Sequence, residues 1–437
     1  MIENLRDHLE ATSFQQLFGT VSRVRRDAVR TFLPDVKVGA VCHIETERGK
    51  VPVEIVSLDP TGHTAMPLDD LDSVRLGDRV VLYEQSATVA VGPGLLGQVI
   101  DSMGISYETH KPMALPERVP LLGAPLNPME REIIRDSIDL GVRSVNACLA
   151  CGKGQRQGIF AGSGVGKSVL LGMMARFTSA DVVVIGLIGE RGREVKEFLE
   201  RELGDKGRER AVVVVETAER SPVRRTRGAH VAVAVSEYFR YRGANVLLLM
   251  DSLTRFAMAQ REIGMAAGEP PTSKGYTPSV FSGLSRLVER AGNWGPKGSI
   301  TGLYTVLVEG DDLEDPIADA SRAILDGHIV LSRQLANRGH YPAVDVLVSV
   351  SRVMDQLVSP EHRKMARLLK QRLAKYTENE ESISFGMYPR GTDPVIDEAI
   401  ESEPGIRKFL QQDSTEHVTL ENSAEDLINL FAAEIPR

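Results

Sequence analysis

Aromatic residues are scarce in this 437-residue chain, at 5% with a single tryptophan, and over residues 19–91 Phe32 and Tyr83 belong to no interleaved basic-aromatic stretch. Surfaces that stack nucleic-acid bases need such faces, so nucleic acid is not an expected partner. Cysteine is scarcer still. Cys42, Cys148 and Cys151 make no disulfide framework, and an odd count suits a reducing compartment. The last two have the C-x-x-C spacing of a redox or zinc half-site, yet no second pair completes four ligands, and two residues on one helix face share that spacing. No apolar run approaches the about 18 residues of a membrane span. The N-terminus, MIENLRDHLEATS, carries acids where an export signal is cationic and then apolar, so a cytoplasmic protein is expected. Basic excess is missing too: 52 Lys and Arg stand against 60 Asp and Glu, for a net charge of −8. That balance gives no electrostatic reason to seek nucleic acid or an anionic membrane.

What is present is 42% hydrophobic residues and a length that suits two or three domains. Ile2, Leu5 and Leu9 form a short helical stripe, so residues 1–18 read as an amphipathic, partner-binding segment. Over 19–91 the rhythm turns to short alternating stretches, VPVEIV, RVVLY and ATVAV, punctuated by DPTGH and LGD, which predicts a small β-barrel. A proline-rich connection follows from Lys111 to Pro128. Residues 92–355 then alternate helical stretches with near-continuous apolar runs: DVVVIGLIG, AVVVVET, NVLLLMD and ITGLYTVLVEG. Strands buried on both faces look like this, so the domain is expected to be α/β with a parallel sheet. Residues 356–437 have helical spacing with little strand signal and are read as a helical domain.

The stretch FAGSGVGKS, at 160–168, sits between an apolar strand and the helical run VLLGMMARF. Glycines let consecutive N–H groups turn toward an anion at a helix N-terminus, so the ligand expected here is a polyphosphate. The phosphate-loop pattern G-x-x-x-x-G-K-[ST] is met with alanine, Ala161, at its first glycine. A dinucleotide fingerprint fails because its third glycine falls on Lys167. Such a loop needs an acid for its metal at the end of a nearby strand. Asp251 ends NVLLLMD, although an Asp capping the next helix has the same pattern. Glu190 and Arg191 follow another strand, where a carboxylate could activate water; a solvated charge pair is the alternative. Arg255 could reach a γ-phosphate or simply pair with Asp251 four residues before it.

Five stretches, FAGSGVGKS, GLIGERGREV, NVLLLMDSLTRFAMAQREIG, GEPPTSKGYTPSVFSGLSRLVERAG and YPAVDVLVSVSRVM, together resemble the hexameric ATPases related to the rotary ATP synthase catalytic subunits. Within them the chain is most similar to the flagellar protein-export ATPase and its injectisome relative, over residues 20–410. The resemblance implies a RecA-like P-loop NTPase core between an N-terminal barrel and a C-terminal helical domain, assembled as a homohexamer that hydrolyses ATP with Mg2+ to energise protein export. It further implies that Gly162, Ser163, Gly164, Val165, Gly166, Lys167 and Ser168 cradle the phosphates, and that Ser168 and Asp251 serve Mg2+. Glu190 would activate water, Arg191 and Arg255 would hold the nucleotide-bound geometry, and Arg352 would reach the neighbour's γ-phosphate. Tyr341 would stack on adenine, with Phe385 or Tyr388 as a second face. Implied partners are a regulatory, stator-like protein, the export gate at the membrane's inner face, and exported proteins with their chaperones. A rotary ATPase subunit and an RNA-translocating ring helicase are the more distant alternatives; the motif stretch from Asn293 to Asp319 leans flagellar.

Overall fold

The computed structural model describes residues 17–123, 127–308, 310, 312 and 314–432, so the stripe of Ile2, Leu5 and Leu9 lies outside them. Six strands, Phe18–Val24, Val29–Phe32, Val41–Thr46, Gly49–Ser57, His63–Pro67 and Arg79–Glu84, close into a barrel. Alternation decides which side chains fill it. In VPVEIV, Val51, Val53 and Ile55 are buried while Pro52, Glu54 and Val56 are half-buried. Closure removes the free edges that such short strands would otherwise expose. The barrel ends earlier than the alternation suggested: Thr88–Val91 pairs instead with Glu117–Pro120 in a separate ribbon.

The central sheet runs in the order Val344–Ser351, Gly327–Leu331, Arg156–Ala161, Ser299–Leu307, Asn245–Asp251, Val182–Glu190, Ala211–Thr217 and Val99–Ile100. The pairings along this order are parallel except at Val344–Ser351, which runs antiparallel. Every residue of Ala211–Thr217 is buried, because helices cover both faces. On one face pack the helix Lys167–Phe177 and the C-terminal helices; on the other pack Pro222–Arg240 and Leu253–Ala266. Parallel pairing turns the carboxyl ends of Arg156–Ala161, Asn245–Asp251 and Val182–Glu190 to one rim, where ligand crevices of such sheets form.

Helices Pro360–Ser384, Pro394–Leu410 and Leu420–Leu430 end the chain. They are tied to the sheet domain through His362, whose Nε2 lies 2.7 Å from the Ala147 carbonyl, and through Gln412, which donates to the Gly141 carbonyl at 2.8 Å. At the other end, Arg224 joins barrel to core, reaching Asp69 at 2.9 Å, Glu216 at 3.2 Å and Asp101. Beside it Arg227 donates to the Ser102 carbonyl at 3.0 Å and stands 3.9 Å from Glu54 of the barrel.

Neither reading of C-x-x-C survives. The helix Arg143–Cys148 stops at its first cysteine and Cys151 begins a short strand, so the two do not share a helix face. Both thiols are buried, pushed up to about 12, and unpaired.

Candidate active site

The loop between Arg156–Ala161 and Lys167–Phe177 turns back on itself through Gly164, at φ 76°, and Gly166, at φ 90°. Only glycine takes that region at little cost. Ala161, in place of the pattern's first glycine, ends the strand and is buried. Val165 is 1% exposed, so its side chain anchors the turn. Arg333 holds the loop from the side, donating to the Ser163 carbonyl at 3.2 Å. Lys167 and Ser168 open the helix, which places them where the dipole is positive and the first N–H groups are free.

Three strand ends meet at the lysine. Lys167 Nζ donates to Asp251 Oδ1 at 2.5 Å and stands 3.8 Å from Glu190 Oε1. Between the phosphate-loop strand and the strand of Asp251 lies Ser299–Leu307, and its Thr305 hydroxyl donates to the same Oδ1 at 2.6 Å. Burial works against the lysine's charge, but Asp251 and Glu190 more than offset it and leave its pKa raised. Burial, followed by the charge of Asp251, pushes Glu190 up to about 7 against the pull of Lys167. Glu190 Oε1 is buried without a hydrogen bond, which leaves it free to accept from a bound water.

The other residues singled out from the sequence are not all at this centre. Arg255 is close: it packs on Gly189, where an added Cβ would lie 2.8 Å from the Arg255 Cβ, and its Nε is buried without an acceptor. It does not pair with Asp251; its Nη1 lies 3.8 Å from Met258 Sδ. Arg191 faces solvent with its side chain 77% exposed and pairs with Glu194 at 3.2 Å. Tyr341 stands beside the loop, its ring carbons 3.5 Å from where a Cβ on Gly166 would be. Its carbonyl accepts from the Gln412 amide at 3.0 Å, while the Tyr388 hydroxyl is held by Asp393 and Asp397 at its own turn. Arg352 follows the antiparallel strand, so it lies beside Asp326 and Gly327, where the parallel strands begin. The phosphate loop is at their other end, because Ala161 pairs with Leu331. Four residues of strand, about 13 Å, separate the two levels.

The site's donors suit a nucleotide with a hard cation. Asp251 already holds a cationic group, Ser168 offers a hydroxyl, and the unpartnered Arg255 Nε and the loop amides suit an anion. Among the described residues no cluster of three or more His, Cys, Asp and Glu could hold a metal ion.

Comparison with known proteins points the same way. Residues 141–351 match the ATP synthase alpha/beta family, nucleotide-binding domain, and residues 358–429 match the T3SS EscN ATPase C-terminal domain. The flagellum-specific ATP synthase of Pseudomonas aeruginosa is 49% identical over 400 residues, covering 90% of this chain and 89% of that protein. The type 3 secretion system ATPase of Sinorhizobium fredii is 47% identical over 400 residues, covering 91% and 88%. Among solved structures, the assembled ATPase EscN of the enteropathogenic E. coli type III secretion system superimposes with a TM-score of 0.88 at 41% identity, over 94% of this chain and 99% of that one. The same ATPase in complex with its central stalk EscO gives 0.85 at 40% identity, with the same coverage.

Proposed function

Since the chain belongs to the family of flagellum-specific and type III secretion ATPases, we propose that it hydrolyses Mg-ATP to drive protein export through a flagellar apparatus, as a ring of identical copies. The injectisome is the second reading, favoured by the 47% identity to a type 3 secretion relative. The observation that carries the proposal is the split of the site. Lys167, Glu190 and Asp251 converge within 3.8 Å, while Arg352 sits at the far end of its own sheet.

On this reading Lys167 exchanges Asp251 for the β- and γ-phosphates that Gly162, Ser163, Gly164, Val165 and Gly166 surround with amides. Ser168 and Asp251 would hold Mg2+, which supplies charge neutralisation on the transferring phosphoryl group. Glu190 accepts the proton of the attacking water as ADP departs, and the Arg255 Nε finds its acceptor in the nucleotide. Arg191 reaches the nucleotide by leaving its exposed pair with Glu194. Tyr341 takes the adenine. Arg352, unable to serve its own loop, stabilises charge in a neighbour's site. A regulatory stator-like protein contacting residues 1–18, an export gate and chaperoned export substrates are the proposed partners. Among the described residues no helix is long and apolar enough to cross a membrane, which fits an enzyme held peripherally at the cytoplasmic face.

The test mixes two inactive variants. Arg352→Ala should keep nucleotide binding but lose turnover by on the order of a thousandfold. Combined with Glu190→Gln, some interfaces pair an intact Glu190 with an intact Arg352, and ATPase activity should partly return. A silent mixture would overturn the shared site.

A further inference from the structure

Asp251 receives two donors on one oxygen. Lys167 is the mobile one, an ammonium on a long stem that the proposed chemistry needs elsewhere. Thr305 is the fixed one. It is fully buried in Ser299–Leu307, its β-branched side chain has little rotamer freedom, and among the described residues its other acceptor is the Met250 carbonyl at 3.3 Å. Its register partner on the phosphate-loop strand is the apolar Ile159, so packing on that side makes no use of the hydroxyl. A carboxylate's last torsion is otherwise broad, and Asp251 would be free to turn once Lys167 left it.

Resting on the reading that Asp251 serves Mg2+, we propose that Thr305 is a positioning residue, whose hydroxyl holds Asp251 Oδ1 and so presents the carboxylate to the nucleotide's Mg2+ in one orientation. Partners that orient a ligating group commonly change metal affinity by tenfold or more.

The test measures binding of a fluorescent ATP analogue to the full chain, with EDTA or with titrated Mg2+. Thr305→Val keeps the shape and leaves Oδ1 bonded to Lys167. It should preserve the unfolding midpoint and the Mg-free affinity, yet raise the Mg2+ concentration at half-saturation about tenfold. Thr305→Ser should restore it. Unchanged half-saturation in Thr305→Val, or no rescue by serine, would overturn the assignment. Were the valine variant unable to fold, Thr305→Ala against Thr305→Ser would decide in the same way. Asp251→Asn separates the two claims: if it leaves the Mg2+ dependence intact, the parent reading of Asp251 is wrong; if it weakens it while Thr305→Val does not, only the role of Thr305 falls.

Discussion

At the scale of single residues, the 2.5 Å contact between Lys167 and Asp251 means that, on the proposed function, nucleotide enters by replacing one anion with another. Lys167→Ala should therefore lose most ATP binding, because Asp251 would then face the phosphates unneutralised, whereas Glu190→Gln should bind ATP and turn over poorly. Equilibrium binding alongside phosphate release separates the two; near-normal hydrolysis by Glu190→Gln would remove the assigned base. Lys167, Asp251 and Glu190 were legible in the sequence because each ends an apolar strand or begins a helix, and those positions are readable from spacing. Thr305 was not. A lone hydroxyl inside ITGLYTVLVEG has no pattern of its own, and only the neighbouring strand's register brings it to Asp251. Arg352 carried no signal apart from the family resemblance.

Elements show where local preference and tertiary demand diverge. Gly166 combines φ 90° with the ring of Tyr341 close by, so Gly166→Ala should strain the loop by about 1–2 kcal/mol and weaken nucleotide binding sharply. Gly192→Ala, in open space with no unusual φ, should do neither, and isothermal titration of both variants checks the contrast. The phosphate-loop strand, its helix and the buried strands were readable because burial on both faces leaves unbroken apolar runs. Thr88–Val91 alternates as a barrel strand does, but alternation says which face is buried and not which partner is paired. The same limit hid the split of Cys148 and Cys151 between a helix end and a strand, since a three-residue spacing is common to both.

For the whole molecule, the joint between barrel and core is charged, dry on the core side and open to water at Asp69. Glu216 is fully buried and Asp101 nearly so, with Arg224 between them, so Arg224→Ala should cost about 3–5 kcal/mol by stranding both carboxylates. A fall in thermal midpoint with early exposure of the barrel would be the signature. Close by, burial pushes Glu54 up to about 7 against the pull of Arg227. The folded chain then keeps a proton that the unfolded chain gives up between the ordinary carboxylate pKa and about 7, so stability falls as pH rises through that window. A side chain still 22% exposed keeps the effect below about 3 kcal/mol. Glu54→Gln should reduce the dependence of the unfolding midpoint on pH between about 4.5 and 7, with Glu190, raised in the same way, supplying the slope that stays. The joint was invisible in the sequence, because Asp69 and Asp101 lie 155 and 123 residues before Arg224. One consequence of the place of Arg352, at the other end of its sheet from Lys167, is arithmetical. If each copy lends an arginine forward and borrows one from behind, any open row has one vacant site at one end and one idle arginine at the other. A pair of copies then holds one complete site, a longer row always one fewer than its members, and only a closed circle has as many as it has copies. Turnover per copy, measured on size-separated assemblies, should climb along that series and stop climbing at closure.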